Sequence, residues 1–237
     1  MEEVGTMSNI FCSFKTKESL VLELSKKIAS YLEESIKEKG KASLLVSGGS
    51  TPKPLFERLS NIDIAWDKVT IGLVDERWLD SKHKDSNELL VRSNLLQNFA
   101  KKAKFIGMYL EDIDVFQADS KCSEIYKEKL FPFDVIILGM GSDAHTASLF
   151  PLNEKLEEAY NLENENLCIS IKPTTAPYSR MSLTLKAILS AKNIILHIEG
   201  DEKLKVYEEA IFLNDKYTKP IVSILNQNIK DIEVCHA

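Results

Sequence analysis

Acid, base and hydroxyl side chains crowd one short stretch of this chain, GMGSDAHTASLFP over residues 139–151. Asp143 and His145, two residues apart, can form an acid/base site in which the carboxylate orients the imidazole. The stretch follows Val135, Ile136, Ile137 and Leu138, an unbroken apolar run that reads as a strand buried on both faces. Gly139 and Gly141 let the backbone turn sharply where a Cβ would crowd it. In open α/β sheets, ligands bind outside the carboxyl end of such a strand. Taken alone, the stretch serves equally well as a polar loop, with Asp143 as the N-cap of a short helix and His145 solvated.

Other reactive residues also follow apolar runs. After Ala42–Val46 comes SGGSTP, where Gly48, Gly49, Ser50 and Thr51 precede a helix, with Pro52 at its first position and Ser50 or Thr51 as N-cap. Backbone N–H groups, two hydroxyls and a helix N-terminus make an anion cradle there; the alternative is a tight turn with ordinary capping. No G-K-[ST] follows, so it is not a Walker motif. After Val69–Val74 comes Asp75-Glu76-Arg77-Trp78, read either as a structural ion pair of Arg77 with Glu76 or Asp75, or as a guanidinium fork offered to an oxyanion. Pro173 and Pro177 hold Arg180 on an extended loop beside a strand at Met181–Leu185. Lys203 opens a helix after Gly200, where a cation opposes the dipole and so calls for another reason, such as a bound anion.

Three of these strings together resemble the 6-phosphogluconolactonase family. GMGSDAHTASLFP is similar to its G-x-G-x-D-G-H-T-A-S-L-F-P signature, departing at Ser142 and at Ala144, where a Gly at that position serves positive φ or close approach of substrate. SGGSTP resembles the substrate loop shared with glucosamine-6-phosphate deaminases. DERW followed by Ser86-Asn87 resembles D-E-R-x-V…S-N, with Leu79 in place of Val. The resemblance also carries Arg180, in a K-P…P-x-x-R-x-[ST]-L-T pattern, and Lys203, in G-x-x-K, to phosphate contacts. It implies a Rossmann-like three-layer sandwich and hydrolysis of 6-phospho-D-glucono-1,5-lactone to 6-phosphogluconate, in the pentose phosphate pathway. His145, Asp143 and Arg77 are then the catalytic set. Gly48, Gly49, Ser50, Thr51, Asp75, Asn87, Arg180 and Lys203 hold the substrate. Two arrangements of the catalytic pair stay open. If the loop opens a helix, its N-terminus keeps His145 neutral; if it is irregular, Asp143 can pair with the ring, which residues two apart on a helix cannot do.

The elements that must position these residues alternate. Strands at 42–46, 69–74, 105–109, 135–138, 167–171, 181–185, 193–198 and 221–225 are separated by helices at 17–39, 52–60, 86–96, 116–130 and 152–160, with a further helix from Gly200. This pattern gives an α/β fold with a mostly parallel sheet covered on both faces, as a single domain over residues 1–237. His197 is expected to pack in or beside the sheet, and His236 to lie in a frayed tail. With 30 basic and 36 acidic residues the net charge is −6, which gives no field for nucleic acid or anionic membrane. Cys12, Cys122, Cys168 and Cys235 are scattered and read as reduced thiols in a cytoplasmic protein. No run is long enough to span a bilayer, the first residues carry no signal pattern, and Met7 offers a second start. Without H-x-x-H or another compact ligand set, no metal or other cofactor is expected. The partner is a small phosphorylated sugar lactone, with a monomer the expected state. The alternatives are a glucosamine-6-phosphate deaminase/isomerase, a non-catalytic sugar-phosphate sensor, and an NAD enzyme resting on G-x-G-x-x-[GA] at 139–144. The last is disfavoured because Pro151 ends the following segment too early.

Overall fold

A computed structural model describes residues 9–237, so the expectations for the signal-free start and for Met7 lie outside the described residues. In chain order the elements are β1 (Ile10–Ser13), α1 (Lys17–Lys39), β2 (Ala42–Val46), α2 (Lys53–Ser60), β3 (Val69–Leu73), β4 (Asp75–Arg77), α3 (Asn87–Asn94), β5 (Lys104–Ile106) and α4 (Asp119–Lys129). They continue with β6 (Val135–Leu138), α5 (Leu156–Tyr160), β7 (Cys168–Ile171), β8 (Arg180–Leu183), α6 (Leu185–Leu189), β9 (Asn193–Ile198), α7 (Asp201–Leu213), α8 (Val222–Leu225) and β10 (Glu233–His236). Seven strands form a parallel sheet in the order β1-β10-β9-β6-β2-β3-β5. β4, β8 and β7 form a small antiparallel sheet beside it.

Register shows that helices cover both faces of the large sheet. Glu233, Ile195, Ile137, Val46 and Leu73 form one row across five strands, so their side chains share a face. Glu233 meets Lys27 and Tyr31 of α1, which assigns that face to α1. Gly72 points the opposite way, where an added Cβ would lie 2.7 Å from Leu130 Cδ1, just past the end of α4. β2 and β6 are buried throughout, as strands covered on both faces must be. α1 runs between a Thr16–Ser19 capping box and Gly40 at φ 77°, and it buries Leu20, Leu24, Ile28 and Leu32.

Several elements differ from the sequence reading. The apolar run at 221–225 is the short buried helix α8, not a strand; periodicity cannot separate the two over five residues, and Pro220 suits a first helical turn. The last strand is β10, so His236 is a buried strand residue between β1 and β9 and not a frayed tail. β1 carries no signal beyond four residues at the chain's start. The helix expected over 152–160 begins only at Leu156, after a turn in which Leu152 adopts φ 54°. The helix expected from 116 begins at Asp119 behind a separate 3-10 turn, and β5 covers 104–106 and not 105–109. Arg180 does not sit on a loop: it starts β8.

Candidate active site

The carboxyl ends of β2, β6 and β9 open onto one cavity of about 290 Å³. After β2, the backbone passes Gly48 and Gly49, the latter at φ 98°. A Cβ on Gly48 would lie 1.9 Å from Asn87 Oδ1, so the close approach of these two residues requires glycine. Pro52 stands at the N-cap of α2, and neither Ser50 nor Thr51 caps it as expected; both hydroxyl residues line the cavity instead. Val74 crosses from the large sheet to the small one, its N–H donating to Val46 and its carbonyl accepting from Leu183. That single residue swings Asp75–Arg77 of β4 over the strand ends. Asp75, Arg77, Asn87, His145 and Lys203 line the same cavity.

His145 sits on an irregular loop, and no helix follows Asp143, so the helix-capped arrangement is ruled out. The loop is held by two hydrogen bonds of its own, Gly141 N–H to His145 O and Thr146 Oγ1 to Gly139 O, and by one from outside, Ile221 N–H to Ala144 O. Ala144 is fully buried at φ 67°, the left-handed conformation for which glycine is the usual choice. Gly141 leaves room for the pair, since a Cβ there would meet His145 Nδ1 at 2.1 Å. Gly139, by contrast, has nothing within 4 Å of such a Cβ, so crowding by the protein does not explain it.

His145 Nδ1 lies 2.6 Å from Asp143 Oδ1, which also accepts the His145 backbone N–H at 3.1 Å. Burial raises the Asp143 carboxyl, but the hydrogen bond and charge of His145 outweigh it and hold the group at about 2. An ionised carboxylate only accepts, so Nδ1 carries the hydrogen, and in the neutral ring Nε2 holds the lone pair. The ring stacks on Phe150 at 4.7 Å between centroids, with Arg180 over Phe150 at 6.0 Å.

Arg77 and Arg180 are directly opposed partners in the β4–β8 pair, and both line a second cavity that also meets His145 and Asp75. Like charges in that position repel. Burial, then the Arg77 charge, pushes the Arg180 guanidinium down, the direction that a bound anion reverses. Arg180 is 5% exposed and donates to the Pro177 and Tyr178 carbonyls. Of the two readings of this string, the ion pair of Arg77 with Glu76 or Asp75 does not form; Arg77 donates to the Asp85 carbonyl. Glu76 is fully buried and accepts from the N–H groups of Arg77, Asn87 and Glu88 and from the Ser86 hydroxyl. Burial pushes its carboxyl up to about 7 against those four donors. It thereby ties β4 to the N-terminus of α3, which Ser86 caps. Asn87 in turn donates to the Asp75 carbonyl, and Asp75 Oδ2 accepts from Ser148.

The expected residues therefore gather in two adjoining cavities that share Asp75, Arg77 and His145. Asp143 lines neither and acts on the site only through His145. Sequence reasoning missed Ser148, His197 and Glu199. His197 was expected only to pack beside the sheet; it is indeed buried, yet with Glu199 it also lines the first cavity. The period-two alternation of a strand places both on one face at the end of β9, a signal present in the sequence.

The chain resembles known proteins along nearly its whole length. The family model for glucosamine-6-phosphate isomerases/6-phosphogluconolactonase matches residues 15–232. A 6-phosphogluconolactonase of Mesorhizobium japonicum is 36% identical over 98% of this chain and 97% of the relative. One from Neisseria meningitidis is 37% identical over 90% of this chain and 93% of its own. The crystal structure of a 6-phosphogluconolactonase from Shewanella baltica superposes with a TM-score of 0.93 at 42% identity, covering 98% of this chain and 99% of that one. With the strand-end cavity in place and these matches spanning it, the chain belongs to the glucosamine-6-phosphate isomerase/6-phosphogluconolactonase family.

Proposed function

We infer that the chain is a 6-phosphogluconolactonase, an enzyme that hydrolyses 6-phospho-D-glucono-1,5-lactone to 6-phosphogluconate. The observation that carries the mechanism is the 2.6 Å contact between Asp143 and His145, the latter lining a cavity together with Arg77 and Lys203. In this reading Nε2 of His145 accepts a proton from water as the water oxygen bonds to the lactone carbonyl carbon. The carbonyl oxygen becomes an oxyanion, which Arg77 stabilises with a planar, permanently charged fork. Collapse breaks the bond from that carbon to the ring oxygen, and the His145 proton passes to the departing oxygen. Asp143 stays ionised, fixing the tautomer and stabilising the imidazolium. Arg180, Lys203 and the Gly48–Thr51 turn hold the phosphate, and Asp75 and Asn87 shape the cleft between them.

The alternative of a sugar-phosphate sensor has less support, because an anion site alone has no use for an oriented imidazole. The experiment is a lactonase assay on fresh 6-phosphogluconolactone and on unphosphorylated gluconolactone, each corrected for spontaneous hydrolysis. The phosphorylated lactone is expected to be much the better substrate. Lys203→Ala should weaken it by removing a charge-assisted contact worth about 1.5–3 kcal/mol, with little further loss on gluconolactone. Lys203 is the cleaner test than buried Arg180, whose removal also strips the Pro177 and Tyr178 carbonyls of their donor. Equal use of both lactones by the wild type contradicts the phosphate assignment.

A further inference from the structure

Two carboxylates line the first cavity, Asp75 and Glu199, although its cations, Arg77 and Lys203, suit an anionic substrate. Asp75 has a local role, since Ser148 occupies one of its oxygens. Glu199 does not serve the phosphate, which it repels. One of its oxygens accepts from Nε2 of buried His197 at 3.1 Å, and the other pairs with Lys17 at 3.2 Å. The hydrogen bond from His197, then against it burial, and then Lys17 leave the carboxyl below its ordinary value, so Glu199 is an anion. Lys17 opens α1 and His197 is the last residue but one of β9, so the carboxylate is fixed from two separate elements. Each partner uses one lone pair, and a carboxylate has about four acceptor sites.

A rigid, ionised acceptor on the wall of a sugar-phosphate cleft matches the O–H donors of a polyhydroxylated ring. We propose that Glu199 accepts a hydrogen bond from a ring hydroxyl of the substrate and sets selectivity for that hydroxyl, with His197 and Lys17 as positioning residues. The inference rests on the lactonase reading and adds a residue to it.

The test compares kcat/KM on 6-phosphogluconolactone with its 2-, 3- and 4-deoxy analogues, for wild type, Glu199→Ala and Glu199→Gln. Wild type should prefer the full lactone over one deoxy analogue by about 10- to 100-fold, the range of a charge-assisted hydrogen bond. Glu199→Ala should lose that preference, falling on the full lactone while keeping its rate on that one analogue. Glu199→Gln retains the side chain's volume and an acceptor oxygen and should lose less, so misfolding of the Ala variant does not decide the matter. Uniform losses on all four lactones, or no loss on any, overturn the inference while leaving wild-type lactonase activity intact. A wild type inert on every phosphorylated lactone overturns the lactonase reading, and this inference with it.

Discussion

Asp143 and His145 show how much one contact fixes. Because the Asp143 carboxyl is held at about 2 against an ordinary 3.8, it stays ionised throughout the working pH range. The sign follows from linkage: a depressed carboxyl pKa contributes stability that is fully present above about pH 4 and lost as pH falls through about 2. Any acid limb of kcat/KM near neutrality therefore does not report Asp143. Asp143→Asn removes the depressed carboxyl itself, so the stability lost between about pH 4 and 2 should disappear from the acid unfolding curve. The rate should also fall, though less than on loss of the imidazole itself, because an amide can still hold the ring by a neutral hydrogen bond. An Asn variant with wild-type kcat and an unchanged acid unfolding curve contradicts the pairing.

The Gly139–Pro151 loop is an element in its own right, tied to β8 and to the start of α8 by hydrogen bonds. Two of its non-glycine residues, Ala144 at φ 67° and Ala147 at φ 50°, adopt a conformation that costs roughly 1–2 kcal/mol each. Ala144→Gly relieves that cost but loosens the unfolded chain by about 0.4–1 kcal/mol. A net gain of about 0–1.6 kcal/mol is expected, or up to about 3–6 °C in Tm for a chain of this size. A thermal melt showing a loss contradicts the strain. The departure of Ala144 from the glycine of the resembled signature was visible in the sequence, because a φ requirement is written in one residue. The turn after β2 and the helices α1 and α7 were legible for similar reasons: glycine, caps and apolar spacing are local signals. The small antiparallel sheet was not, since β4 is three residues long and owes its place to pairing with Arg180–Ser182, far along the chain. Local patterning also could not show that Glu76 would serve as a four-donor anchor for α3, because its acceptor role depends on a helix that begins eleven residues later. α8 and β10 were misread because short apolar runs at a chain's end carry little periodicity.

At the scale of the whole molecule, residues from six separate stretches, between Gly48 and Lys203, meet above the carboxyl ends of parallel strands. That convergence makes one site of motifs that are individually ambiguous: a glycine turn, an Asp-Glu-Arg string and a lone histidine each have a bland explanation in isolation. The parallel order β9-β6-β2-β3 sets the spacing between the His145 loop, the Gly48 turn and the start of α7, while the small sheet brings in the two arginines. The central claim is that this site is catalytic through His145, and His145→Asn tests it most directly. The variant's kcat on fresh 6-phosphogluconolactone should be measured beside its affinity for 6-phosphogluconate by titration calorimetry. The account predicts a fall of about 100- to 10,000-fold in kcat, the usual share of general-base catalysis, with product binding and Tm close to wild type. Wild-type turnover by the Asn variant, or a loss of activity that tracks a loss of several degrees in Tm, contradicts it.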